Sequence, residues 1–393
     1  MGETADFVIV GGAVTGASAA WWLKGMAPAA RVLVIERDPT YARAATALSV
    51  ASVRSQFSNP VNVGISRFGA EFVRDFGARI GPEGGVPDLG FHENGYLFLT
   101  GTESGAAVME ELAVMQRGLG AGTVVLGRAE LAQRFPWMRL DDVFAGSFGP
   151  RDEGWFDNMG LLAGFRNGAK ARGAEFRKGA VSRLVAEGTR VTGVALQDGT
   201  VIGAGAVLVS AGTGVTGLLG TLGEEWPVEP RKRTVFVIDA PEARHPDGPL
   251  LIDHTGVYAR PEQDGWIAAT VPDDDGRCSP EDWEPDHAQF DDLVWPRLYN
   301  RAEGFGAVKV RRFWVGHYDY NRLDQNAILG PHPHWAGLFV ASGFSGHGLQ
   351  QAPAVGRGLA EVMLTGTWQS LDLSPLGVQR VLDGRPFLER AVV

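Results

Sequence analysis

Phe7–Leu23 reads FVIVGGAVTGASAAWWL, an uncharged stretch close to the start of a 393-residue chain. An export signal, a membrane anchor and the opening strand and helix of a nucleotide-binding fold all compete for such a run. A secretory signal needs positive charge ahead of its apolar core, and a spanning helix needs about 20 predominantly apolar residues. Here Glu3 and Asp6 come first, and Gly11, Gly12 and Gly16 break the run. It therefore reads as a buried strand over Phe7–Val10, a tight glycine turn, and a helix through Ala17, Ala19, Ala20, Trp21, Trp22 and Leu23 that ends at Gly25.

Strand, turn and helix in that order form the frame of a dinucleotide fingerprint, G-x-G-x-x-G. Its first glycine makes the turn, its second admits the pyrophosphate, and its third packs helix on strand. The three positions are Gly11, Ala13 and Gly16, with Gly12, Val14 and Thr15 between them. Ala13 departs from the pattern by one methyl group, which displaces a phosphate slightly without abolishing binding. The next apolar stretch, RVLVIERD, ends at Glu36, where an acidic side chain would bond the adenosine ribose. Arg37 follows and reads as a solvated arginine rather than a 2′-phosphate ligand.

Composition narrows the function classes. At 393 residues two domains are the default, and 45% hydrophobic with 21% charged residues describes an ordinary globular chain. A net charge of −10 argues against nucleic acid, whose phosphates need a basic face. Cys278 is the single cysteine, so no internal disulfide forms and no Cys/His spacing resembles a metal site. A reducing, cytoplasmic setting follows as the expectation. The oligomeric state is not legible.

Three later segments separate FAD from NAD. ATALSVASVRSQFS (45–58), VLVSAGTG (207–214) and GFSGHGLQQAPAVGRGLAEVML (343–364) resemble the flavin-contact segments of the D-amino-acid oxidase superfamily. The branch is that of glycine oxidase, sarcosine oxidase and dimethylglycine dehydrogenase. GHYDYNRLDQNAILGPHP (316–333), LQQAP and LDLSP are similar to FAD-dependent oxidoreductase-domain proteins that include a mitochondrial factor associated with complex I assembly. The resemblance implies an α/β fold, a Rossmann-like FAD-binding domain with a second, antiparallel-sheet substrate domain. It places a discontinuous FAD domain at 1–85, 145–225 and 325–393, and a substrate domain at 86–144 and 226–324. The residues add their own support: 182–212 alternates as hairpin strands around Glu187-Gly188 and Asp198-Gly199. RTVFVIDAP and GVYARPEQDGWIAATVP read as antiparallel strands.

The 343–364 block also has a physical reading of its own. Gly343, Gly346 and Gly348 make an irregular loop, and a helix follows with Pro353 in its first turn. The free N–H groups and positive dipole of that helix would face a flavin that accumulates negative charge. The cofactor residues expected from the resemblance, beyond Gly11–Gly16, Glu36 and Arg37, are Thr46, Leu48, Ser49, Ala51, Ser52, Val181, Ala211, Gly212 and Gly316. The loop adds Gly343, Phe344, Ser345, Gly346, His347, Gly348, Leu349 and Gln350.

The resemblance further implies hydride removal from a carbon beside an amine nitrogen, with flavin N5 as acceptor and an imine as product. The substrate would be a small-molecule amine or amino acid, and oxygen or another electron acceptor would take the electrons onward. Arg54 matches the family's arginine beside the ring, Tyr258 and Arg260 a strand of substrate contacts, and Tyr318 a tyrosine over the flavin. His317 and His347 are candidates to tune proton balance, and Asp157 reads as a helix N-cap. Three departures matter. Gly316 stands where covalent relatives carry a cysteine, so FAD is expected to be noncovalent. GWIAATVP lacks the lysine that aids oxygen reduction, and Gln350 replaces a lysine near the substrate carboxylate.

Overall fold

Strand β1 (Glu3–Val10) begins four residues ahead of the apolar run, because Glu3, Thr4 and Ala5 already pair with a neighbouring strand. The chain then turns at Gly11 into α1 (Val14–Met26) and returns as β2 (Val32–Glu36). Gly25 lies inside that helix, one residue short of its end. The computed structural model describes residues 3–390. β3 (Ser52–Val53), α2 (Pro60–Arg74), α3 (Phe76–Ile80), β4 (Tyr96–Thr100) and α4 (Glu103–Gly118) come next. They are followed by β5 (Val124–Gly127), α5 (Arg128–Arg134), β6 (Ala145–Gly149), β7 (Gly154–Trp155), α6 (Asn158–Ala171) and β8 (Glu175–Lys178). The hairpin strands are β9 (Val181–Glu187), β10 (Arg190–Leu196) and β11 (Val201–Val209), and α7 (Val215–Gly220) follows. Then come β12 (Val228–Asp239), β13 (Leu250–Ile252), β14 (Val257–Glu262), β15 (Gly265–Thr270) and α8 (Trp295–Arg301). β16 (Lys309–Asn321), β17 (Ile328–Pro331), β18 (Leu338–Ser342) and α9 (Gly348–Thr365) complete the part that builds the site.

The first sheet runs in the order β17-β18-β11-β1-β2-β8, with β9 and β10 attached through β11. Its centre is parallel, β1 lying between β2 and β11, and such strands are covered on both faces. Ile9, Val34 and Leu208 face α1, α6 and α9, whereas Val8, Val10, Leu33, Val207 and Val209 face the β9–β10 side. The hairpins turn at Gly188 (φ 58°) and Gly199 (φ 90°), left-handed positions that suit glycine. α1 and α9 cross closely: Ser18 Oγ donates to the Ala352 carbonyl at 2.8 Å, and Trp22 Nε1 donates to that of Pro353 at 3.1 Å. A Cβ on Gly356 would lie 2.7 Å from Ser18 Cβ, so the crossing admits no side chain there. Asp157 caps α6 as read, accepting from the N–H groups of Met159 and Gly160 at 3.0 and 2.9 Å.

The second sheet runs β16-β12-β15-β14-β13-β4-β6-β5 and is antiparallel except where β13 lies beside β4. Strand β6 belongs to it by its pairing with β4 and β5, whereas the division read from the sequence gives residue 145 onward to the first unit. A second correction concerns Pro353. It is the sixth residue of α9 and not part of the first turn, because the helix starts as soon as the loop glycines end at Gly348. Among the described residues no helix is long and apolar enough to cross a membrane, and no cluster of His, Cys, Asp or Glu suits a metal ion.

Candidate active site

A cavity of about 1470 Å³ runs from the carboxyl ends of β1 and β2 to the inner face of the second sheet. It exceeds the roughly 300–1,000 Å³ of a usual small-molecule cleft, and it begins where open α/β sheets bind ligands.

At the first end the wall is main chain. Gly11 has φ 99°, and a Cβ there would lie 2.9 Å from the Ser210 carbonyl carbon and 3.2 Å from Ala211 Cα. Gly16 packs the helix on the strand, since its Cβ would overlap the Gly11 carbonyl and lie 2.8 Å from Ser210 Oγ. Ala13 takes the N-cap position of α1 with an extended backbone, so its methyl group is accommodated. No acidic residue stands in the first turn of α1, leaving its positive end for an anion. Glu36 accepts from the N–H groups of Gly12 and Asp38, each at 2.8 Å, and lines the cavity with Arg37, Val181, Ala211 and Gly212. A close-approach turn, an unopposed helix N-terminus and a strand-end carboxylate fit a dinucleotide.

Midway, the loop before α9 is held under strain. Gly343 and Gly346 have φ 68° and 94°, and Ser345 has φ 51° without being glycine. Asp319 restrains the loop by accepting from Phe344 N–H at 3.2 Å, and Ser345 Oγ accepts from Asn321 N–H at 3.0 Å. Burial raises the Asp319 carboxyl to about 6. A Cβ on Gly346 would fall 2.8 Å from Tyr318 Cε2, so the glycine admits that ring. His347 occupies the N-cap of α9, whose first turn is free of acidic residues. Gln350 Oε1 accepts from Arg54 N–H at 2.7 Å, so the residue in the lysine's place positions the Arg54 main chain.

At the far end the wall is side chain. Arg54 directly follows β3, and it is 3% exposed. Its guanidinium donates to the Gln56 carbonyl, lies 3.2 Å from His347 Nε2, and covers the Phe57 ring at 4.1 Å. Burial and this cation depress the His347 imidazole to about 3, so at neutral pH it accepts from Arg54. Behind Arg54, the buried Glu153 accepts from Ser55 N–H at 2.8 Å and Gln56 Nε2 at 2.7 Å, and Ser147 Oγ donates to Gln56 Oε1 at 2.6 Å. Burial raises the Glu153 carboxyl to about 7. Across from Arg54 stand Tyr96 of β4, Tyr258 of β14, Tyr318 of β16 and Arg233 of β12. Burial and the neighbouring Tyr318 hydroxyl push the Tyr258 hydroxyl far above its ordinary range.

The structure brings together at this end Arg54, Tyr258, Tyr318 and His347 of the residues expected there. His317 also lines the cavity, stacked on Trp283 at 4.0 Å with Nε2 2.6 Å from the Asp282 carbonyl, and burial lowers its pKa. Thr46, Leu48, Ser49, Ser52, Gly316 and residues 344–350 line it as well. Gly12, Gly16, Ala51 and Gly343 do not reach the wall and act by shaping the chain behind it. Arg260 is a correction. It is absent from the wall, and its guanidinium pairs with Glu262 at 2.5 Å and donates to the Val50 carbonyl at 3.0 Å, so its charge is spent inside the sheet. Sequence reading passed over Tyr96, Arg233, Gln56, Glu153 and Asp319. Alternation along RKRTVFV would have put Arg233 on the face of Val235, but nothing local tells which face meets the cavity.

A dinucleotide cradle and an antiparallel sheet facing each other across one cavity define a flavin-dependent oxidoreductase. The chain belongs to the FAD dependent oxidoreductase (DAO) family, whose sequence profile matches residues 6–362. It is 39% identical to the FAD-dependent oxidoreductase domain-containing protein 1 of Bos taurus over 428 residues, spanning 100% of this chain and 87% of the relative. Its fold is that of the L-proline dehydrogenase from P. horikoshii, with a TM-score of 0.85, 24% identity, and 98% and 100% of the two chains covered. The glycine oxidase from Geobacillus kaustophilus has a TM-score of 0.80 at 22% identity, covering 96% and 99%.

Proposed function

We propose that the protein oxidises the C–N bond of a small amine or an amino or imino acid. The observation that carries this reading is the convergence of Arg54 with Tyr96, Tyr258 and Tyr318 at one end of the cavity, just beyond the N-terminus of α9. Bound FAD would supply the two-electron acceptor there, and the substrate would leave as an imine that water hydrolyses. Gly11, Gly16 and Glu36 would hold the dinucleotide end, and residues 343–350 the ring. The tyrosine hydroxyls and the Arg54 guanidinium orient a polar substrate, while Val235, Leu250 and Ile252 keep the remaining wall dry. His347 is neutral and turned to Arg54, so it positions the arginine and transfers no proton. Anaerobic mixing of the yellow holoprotein with small amines and amino acids tests the reading: a true substrate bleaches the visible band. Failure of every such compound would leave a binding or assembly role instead.

We read the cofactor as noncovalent, since Gly316 offers no attachment atom, and acid precipitation should release it into the supernatant. A second reading concerns the acceptor. Among the described residues no lysine lines the cavity, which favours a dehydrogenase passing electrons to a quinone or electron carrier over a fast oxidase. Admitting air to the bleached protein decides between them by the rate of colour return. The lone cysteine is in keeping with a cytoplasmic setting.

A further inference from the structure

Residues 271–287 form a strap without regular secondary structure that follows β15 and contributes Val271, Arg277, Glu281 and Trp283 to the cavity wall. Its sequence is acidic, VPDDDGRCSPEDWEPDH, and it lies along the basic run Arg231-Lys232-Arg233 of β12. The matching is residue by residue. Asp282 pairs with Lys232 at 2.7 Å, Cys278 N–H donates to the Pro230 carbonyl at 3.0 Å, and Asp286 N–H donates to Thr234 Oγ1 at 3.0 Å. Asp275 holds the other half: its carboxylate takes Arg233 through both oxygens at 2.5 and 2.9 Å and Arg231 at 3.2 Å.

Of the three cations, Arg233 alone reaches the cavity wall, with its Cζ 5.0 Å from the centre of the Tyr318 ring. A guanidinium that is 5% exposed is stabilised by an anionic partner, and Asp275 supplies one from within the chain. Arg231 already shares Glu229 at 3.0 Å, so it tolerates a second carboxylate and offers Asp275 somewhere to go.

The geometry points to a carboxylate-gated strap: an anionic ligand that takes Arg233 displaces Asp275 toward Arg231 and loosens residues 271–287 over the cavity. Asp275 thereby acts as an internal competitor, which sets how strongly an external carboxylate must bind and ties its binding to the opening of the strap. The inference rests on the proposed reading of the cavity as a substrate site. It requires only that the two states of the strap differ in their affinity for the ligand.

Cys278 reports the strap directly, being the only cysteine in the chain and half-buried with Sγ 3.4 Å from the Pro230 carbonyl. The flavin-loaded protein is treated with N-ethylmaleimide, a neutral reagent, with and without benzoate. Labelling should quicken at least about fivefold with benzoate, and benzamide should leave it unchanged. Asp275→Asn should label at the fast rate without benzoate and bind benzoate about tenfold more tightly, read from the shift of the flavin band. The conservative Arg233→Lys should lose most of the benzoate response. Benzoate that leaves labelling unchanged or slows it, or benzamide that speeds it equally, overturns the gate, as does an Asp275→Asn variant with unaltered benzoate affinity. The wild-type comparison needs no substitution, so it survives a variant that fails to fold. A holoprotein that no amine bleaches refutes the functional reading alone, because the labelling result is read separately.

Discussion

At one end of the cavity the wall is main chain, set by Gly11, Gly16 and a strand-end carboxylate that lie within 26 residues of each other. At the other it is side chain, assembled from β3, β4, β12, β14, β16 and the loop before α9. The first end works by allowing close approach, so its tolerance is steric. The second works by pairing its buried charges with other groups, so its tolerance is electrostatic. The two ends should therefore fail differently.

The largest effect belongs to the first end. Gly16→Val would drive a branched side chain into the Gly11 carbonyl and Ser210 Oγ, where overpacking costs about 1–3 kcal/mol or more. FAD affinity should fall roughly 100-fold, measured by retention of the yellow cofactor on gel filtration; full retention would break the comparison. Next, Arg54→Met should keep the flavin but lower kcat/KM for a bleaching substrate roughly 30-fold or more, since removing a buried hydrogen-bonded charge costs about 2–5 kcal/mol. A variant with unchanged kinetics would move the substrate anchor elsewhere.

Glu153 tests whether the second end is electrostatic through its depth. Its carboxyl rises from 4.5 to about 7 on folding, so the folded chain keeps a proton that the unfolded chain releases between these values. Stability must then decline as pH rises through that window, by up to about 3 kcal/mol from this group. Glu153→Gln should flatten the decline, seen in urea midpoints at pH 5 and pH 8. Parallel profiles for the variant and the wild type would show that the group keeps an ordinary pKa. The smallest effect is expected from Arg260→Met, which should leave substrate KM within about twofold and lower Tm by a few degrees through the lost Glu262 and Val50 contacts.

The same contrast explains what the sequence disclosed. Gly11, Gly16 and Glu36 are legible because turn geometry, helix packing and strand length fix their separations along the chain. The hairpins at Gly188 and Gly199 are legible for the same reason. Tyr96 and Arg233 are 137 residues apart and meet only through sheet order, which no local pattern encodes. Arg260 shows the converse. It shares a strand and a face with Tyr258, yet an acidic neighbour two residues on captures its charge, and alternation is blind to that. Glu153 was passed over because the acidic pair Asp152-Glu153 before a glycine looks like a turn until its burial is known.

The close crossing of α1 and α9 carries a consequence for biosynthesis. The fingerprint helix is made well before Ala352, Pro353 and Gly356, against which it seats. More than 300 residues must be translated before the fingerprint helix finds its partner, so capture of the prosthetic group waits until α9 has been made. Ribosome-stalled fragments that end before Gly348 should therefore emerge colourless.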